Sequence, residues 1–134
     1  MTRIGRLKRR AEFLAAAAAN RKWVAPGLVL QARALGTDDP FASHRADSIH
    51  VGFTASRKVG NAVARNRAKR RLRAIAAEIL KAEISKGAAA PAVPTDLVLI
   101  ARPATITRDF QSLRQDFTRG LQKLGVMAKA EKAR

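Results

Sequence analysis

The chain has 134 residues, 47% of them apolar, which is enough for one compact domain over residues 1–134 and too many for wholesale disorder. Its 27 Lys and Arg against 10 Asp and Glu leave a net charge of +17, a self-repelling excess that a polyanionic partner would relieve. No apolar run approaches the roughly 18 residues of a membrane span, and the absence of cysteine excludes disulfides and thiolate metal sites, in keeping with a reducing cytoplasm.

The basic opening is expected to be loosely held, residues 1–6 above all. Ala11 to Ala19 consists of strong helix formers, with Phe13 and Leu14 as the bulky apolar members, and predicts a short helix. After Pro26 and Gly27, Leu28 to Ala32 reads as a strand, and Gly36 to Ser48, with its Gly, Asp, Pro and Ser, as a loop. Ile49 to Ser56 alternates: Ile49, Val51, Phe53 and Ala55 share one face of a strand, His50, Gly52, Thr54 and Ser56 the other. Gly60 turns the chain, and Asn61 is a good N-cap for a long helix reaching Lys86. Gly87 to Thr95 is an Ala/Pro linker. Leu97 to Ile100 is apolar without alternation, as in a strand covered on both faces. Thr107 and Asp109 open a final helix, on which Phe110, Leu113, Phe117, Leu121 and Leu124 form an apolar stripe. Residues 126–134 are expected to fray.

The order is helix, strand, strand, helix, strand, helix, with room for one more strand around the loop. It implies an α+β fold, one sheet with helices packed on it. The excursion from Asn61 to the Leu97 strand is a crossover, so the strands it joins should pair in parallel.

The informative segment is Arg57 to Arg73. On a helix, Ala68, Leu72, Ile75 and Ile79 fall on one stripe that can pack on the sheet. Arg65, Lys69 and Arg73 line one flank of it, and Arg67, Arg70 and Arg71 are expected to project from the remaining surface, with Asn66 among them. Like charges at such spacings cost a few tenths of a kcal/mol per pair, and no acidic residue stands between Ser48 and Ala77 to offset them. A face kept only for solubility normally mixes signs; a single-sign cluster is the footprint of nucleic-acid binding. No helix-turn-helix partner or zinc ligand set accompanies this helix, which favours folded RNA over a DNA groove.

Gly52-Phe53-Thr54-Ala55-Ser56-Arg57-Lys58-Val59-Gly60-Asn61-Ala62-Val63-Ala64-Arg65-Asn66-Arg67-Ala68-Lys69-Arg70-Arg71-Leu72-Arg73 closely resembles the signature of the bacterial ribonuclease P protein subunit, which carries Arg-Asn-Arg on a basic helix. Arg6-Leu7-Lys8-Arg9 ahead of Phe13, and Asp96 to Pro103, extend the likeness to roughly residues 4–124. The resemblance implies an α/β sandwich, helix-strand-strand-strand-helix-strand-helix, whose mixed sheet has a left-handed crossover through the basic helix. It implies two partners, a catalytic RNA and precursor tRNA, with no membrane and no obligatory protein partner. The RNA cleaves the 5′ leader with Mg²⁺, bound mainly by the RNA, and the protein has no catalytic residue or metal site of its own. By position, the residues facing the catalytic RNA are Asn61, Arg65, Asn66, Arg67, Lys69, Arg70 and Arg73. A cleft for the leader would draw on Phe13, Ser56 and Lys58. The family's further cleft aromatics are missing: Ala17 and Gln31 stand in those regions and the chain has no tyrosine. Stacking on a ring is worth about 1–3 kcal/mol per base, so charge and backbone contacts would carry more of the leader binding here.

Other residues have plainer readings. Phe13, Phe53, Phe110 and Phe117 all suit core packing, Phe13 being given to the leader by the resemblance alone, and Trp23 can cover a sheet edge or stack on a base. His44 and His50 lack partners at metal-ligand spacing, and Asp38, Asp39 and Asp47 form no acid dyad. Ser56 and Lys58 share a face without an oxyanion site. Two other functions fit the composition: a general RNA-binding protein, and an autonomous nuclease, which would need acidic metal ligands or a histidine base on a common face.

Overall fold

The computed structural model describes residues 3–36, 38–40, 48–85 and 94–126. In chain order the elements are β1 (Arg3–Arg6), α1 (Arg10–Ala18), β2 (Lys22–Val24), β3 (Leu28–Ala34), β4 (Ser48–Thr54), α2 (Ala62–Ser85), β5 (Thr95–Ala101), α3 (Ala104–Thr107) and α4 (Phe110–Lys123). The strands form one mixed sheet in the order β1-β4-β5-β3-β2. β4 pairs in parallel with β1 and with β5, from Ile49↔Thr95 to Thr54↔Ile100. β3 runs antiparallel to β5 and to β2. The crossover through α2 thus joins parallel neighbours, as its length requires.

The alternation along each strand decides which helix covers which face. Leu28, Leu30 and Ala32 of β3, Ile49 and Val51 of β4, and Leu97 and Leu99 of β5 point to one side, where α2 and α4 cover them. Ala68, Leu72, Ile75 and Ile79 of α2 are buried there, as is the α4 stripe of Leu113, Phe117 and Leu121. Each of the Leu, Ile and Phe side chains stabilises the fold by about 1.5–3 kcal/mol through removal from water, and Ala68 by less. The opposite face is thinner: Val98 and Ile100 meet Leu7, Phe13 and Ala16 under α1. β5 is therefore covered on both faces, which is why its apolar residues run without alternation.

Four features differ from the sequence reading. The opening expected to be loose forms β1 over Arg3–Arg6, an edge strand hydrogen-bonded to β4. A strand that the sequence did not single out lies before Pro26, as β2. A short helix, α3, precedes Asp109. Arg71 does not project from the surface. Its Nη1 donates to the Thr105 carbonyl at 3.0 Å and to that of Ile106, its Nη2 donates to the Arg108 carbonyl at 2.7 Å, and its guanidinium lies 5.5 Å from the Phe110 ring centre. The carbonyls at the end of α3 point at α2, and a forked cation satisfies them. The loop residues 41–47, most of the linker and the tail beyond Val126 lie outside the described residues; Val126 itself is buried in the core.

That corner carries a polar network. Buried Asp116 accepts from Arg108 Nε at 2.7 Å and Nη2 at 3.1 Å, and from the Gly27 N–H at 3.0 Å. Thr105 Oγ1 donates to the Gly27 carbonyl at 2.6 Å, and Arg102 Nη1 donates to the Ala25 carbonyl at 2.6 Å. The β2–β3 turn is thereby tied to α3 and α4. No described helix is long and apolar enough to cross a membrane.

Candidate nucleic-acid interface

The turn between β4 and α2 sets where the basic helix begins. The Val59 N–H donates to the Ser56 carbonyl at 3.0 Å and the Gly60 N–H to that of Arg57 at 3.1 Å, while Val59 is the buried anchor. Gly60 has φ +146°, a conformation a side chain resists, and a Cβ there would lie 2.8 Å from Ala64. Asn61 Oδ1 then accepts the Ala64 N–H at 2.9 Å, the N-cap its side chain chemistry favours.

From that cap the residues named above take up different positions. Asn66, Arg67, Arg70 and Arg73 are exposed, and Lys69 and Arg65 are half-buried. Arg65 folds back so that Nη1 donates to the Gly60 carbonyl at 3.0 Å, while Arg73 lies over the Phe53 ring, 5.7 Å from its centre. Among the described residues, Arg67, Lys69 and Arg70 pair with no carboxylate; the acids near basic groups belong to Arg33, Arg108 and Arg114. Val63, 68% exposed in the first turn, adds an apolar contact to this cationic face. Removal of Arg71 from it leaves a narrower strip than the sequence alone suggests.

On the other face of the sheet, Phe13 lies against β4 at Gly52. A Cβ at Gly52 would come within 2.6 Å of the ring, so only glycine admits Phe13 this deeply. A hollow of 350 Å³ opens beside it, lined by Lys8, Arg10, Phe13 and Thr54. Ser56 and Lys58 follow on the same chain segment as exposed residues, with Ser56 Oγ accepting the Lys58 N–H at 3.3 Å. Ala17 is exposed and Gln31 half-buried, so neither region supplies an aromatic ring. The sequence does not mark Lys8 and Arg10 as leader contacts; the signal it offers is the basic run that leads into α1, in which Arg10 is the first helical residue.

The remaining candidates settle into structural roles. Trp23 packs on the main core, 3.0 Å from where a Cβ on Gly120 would sit, and Phe117 is fully buried. Phe53 and Phe110 pack against the same core. Asp39 pairs with Arg33, which also reaches buried Asp96 at 3.5 Å. His50 packs on Gly5, and His44 and Asp47 lie outside the described residues. Among the described residues no three His, Asp or Glu side chains gather as a metal site would require.

The family model for ribonuclease P matches residues 1–125. The chain is 47% identical over 132 residues to the ribonuclease P protein component of Paramagnetospirillum magneticum, covering 98% of this chain and 90% of that one. It is also 47% identical to that of Gluconacetobacter diazotrophicus, covering 92% and 94%. Among solved structures, the Staphylococcus aureus RNase P protein superposes with a TM-score of 0.66 at 20% identity, over 92% of this chain and 97% of that one. The Thermotoga maritima RNase P protein gives 0.59 at 24% identity, over 85% and 92%. At those identities the structural likeness speaks to the fold.

Proposed function

This chain belongs to the ribonuclease P protein family, and from that premise we propose that it is the protein subunit of a bacterial ribonuclease P acting in tRNA 5′ maturation. The observation that carries the reading is the unpaired cationic strip on α2, Arg67, Lys69 and Arg70 with Asn66 between them, held on a rigid helix. Its partner is the catalytic RNA of the enzyme. Asn61, Arg65 and Arg73 extend the contact at either end, with Asn61 and Arg65 also shaping the first turn. Lysine and arginine set against clustered phosphates release condensed counterions and lower the demand for divalent cations.

The 5′ leader of precursor tRNA lies in the hollow beside Phe13, reaching Ser56 and Lys58. Lys8 and Arg10 compensate there for the missing aromatics by binding phosphates. On this reading the Mg²⁺ is bound mainly by the RNA, which carries out the hydrolysis, and the protein contributes affinity and position. The complex works in the cytoplasm without an obligatory protein partner.

Cleavage of precursor tRNA at low Mg²⁺, with protein alone, catalytic RNA alone and both together, tests this. Cleavage in the mixture alone is the expected result. Absence of stimulation would leave a general RNA-binding protein, and cleavage by the protein alone would make it a nuclease in its own right. In the same assay Phe13→Ala should lower the preference for precursor over mature tRNA while leaving affinity for the catalytic RNA nearly intact.

A further inference from the structure

The exposed surface of α2 changes character along one stripe. Asn66, Arg70, Arg73 and Ala77 are exposed and follow at steps of four, three and four, so they lie above one another, and the buried Leu80 continues the line beneath the surface. The first half is polar and cationic. Beyond Arg73 the helix offers Ala77 with the buried Ala76 and Leu80 behind it, and this apolar wall faces the edge strand β1 across a groove of 220 Å³. Ile4 and Arg6 form the opposite wall, and Phe53 lines the groove together with the buried Val51. No acidic residue lines the groove, and neither Arg6 nor Arg73 pairs with a carboxylate among the described residues.

A slot with an apolar floor and guanidinium groups at its rim rejects cations and fits a flat, apolar-faced group attached to an anion. Its volume is below the roughly 300–1,000 Å³ of sites for drug-sized ligands, so it suits one heterocycle and not a helix. Arg73, laid over Phe53, presents a held guanidinium plane, and such planes stack nucleobases. The phosphates on either side of that base would meet Arg70 and Arg6. Ala77 matters because it is small: a larger side chain there would fill the slot.

We infer that the groove between β1 and α2 receives one unpaired nucleobase of the bound RNA, stacked at Arg73 and flanked by phosphates on Arg70 and Arg6. The inference rests on the RNA-subunit reading and adds to the phosphate strip a pocket that selects an unstacked nucleotide over a paired one. Recognition through splayed bases is the usual route by which proteins read folded RNA.

The test uses the full chain and the catalytic RNA of the same bacterium. Ala77→Leu places bulk in the groove at an exposed helical position, keeps every charge, and substitutes one strong helix former for another. It should weaken RNA binding about tenfold, the scale of one stacked base, with an unchanged slope of log affinity against log salt. Dimethyl sulfate probing should show at least one unpaired adenine protected by the wild type and reactive with Ala77→Leu. Ala77→Ser, which adds little bulk, should match the wild type in both measurements. Binding by Ala77→Leu equal to wild type, or weakened with no change in base reactivity, would overturn the inference and leave the strip intact. If Arg67→Ala and Arg70→Ala also bind normally with unchanged salt slopes, it is the RNA-subunit reading that fails.

Discussion

Two parts of the molecule are rich in arginine and use it in opposite ways. Around α3, Arg71, Arg102 and Arg108 are turned inward onto carbonyls and Asp116, closing the corner where α2, α4 and the β2–β3 turn meet. On the first half of α2, Arg67 and Arg70 have no such partner among the described residues and stand in solvent. Arg70 and Arg71 are neighbours in sequence with different fates. The helix turns successive side chains by about 100°, since it holds 3.6 residues per turn, and only Arg71 comes round to the end of α3. An arginine is mortar where unsatisfied carbonyls face it and a binding group where nothing does.

Substitutions at the two sites should separate stability from RNA binding. The largest effect is expected for Asp116→Ala, which leaves the Arg108 guanidinium and the Gly27 N–H without their acceptor in a buried corner. It should cost on the order of 3 kcal/mol in chemical denaturation. Arg71→Ala should cost about 2 kcal/mol, because charged hydrogen bonds to three carbonyls are lost. Arg71→Lys should recover little of that, since an ammonium cannot fork across them. Arg67→Ala with Arg70→Ala should change stability by no more than about 0.5 kcal/mol. Its effect belongs to RNA binding, where the salt slope should fall by about 0.7–0.9 for each phosphate contact removed. A stability loss in this last pair, or an unchanged salt slope, would erase the distinction between the two sites.

Much of this arrangement is legible in the residues. Ala68, Leu72, Ile75 and Ile79 announce both the helix and its buried face, and Asn61 marks its start. The unbroken apolar run in β5 announces a strand covered on both sides. The two edge strands are not legible, for a physical reason. β1 is Arg-Ile-Gly-Arg and β2 is Lys-Trp-Val, short and charged as edges must be if they are not to pair with other chains, and such composition also reads as loop. The inward turn of Arg71 is hidden for another reason: its acceptors are carbonyls more than thirty positions away, and a backbone oxygen has no residue type to betray it. The cationic strip was visible because charge of one sign is a local property. The groove beside it was not, because it needs β1 in place.

The central position of β5 bears on the order of events during synthesis. Its partners on either side, β3 and β4, are made long before it, and neither pairs with the other. Until Ala101 has left the ribosome, then, the nascent chain holds its strands apart with their middle partner missing. High contact order of this kind slows folding. By that point most of the positive charge of a +17 chain has already been synthesised. A basic chain left open in this way would be shielded from unspecific contacts if RNA captured the α2 segment before β5 closes the sheet.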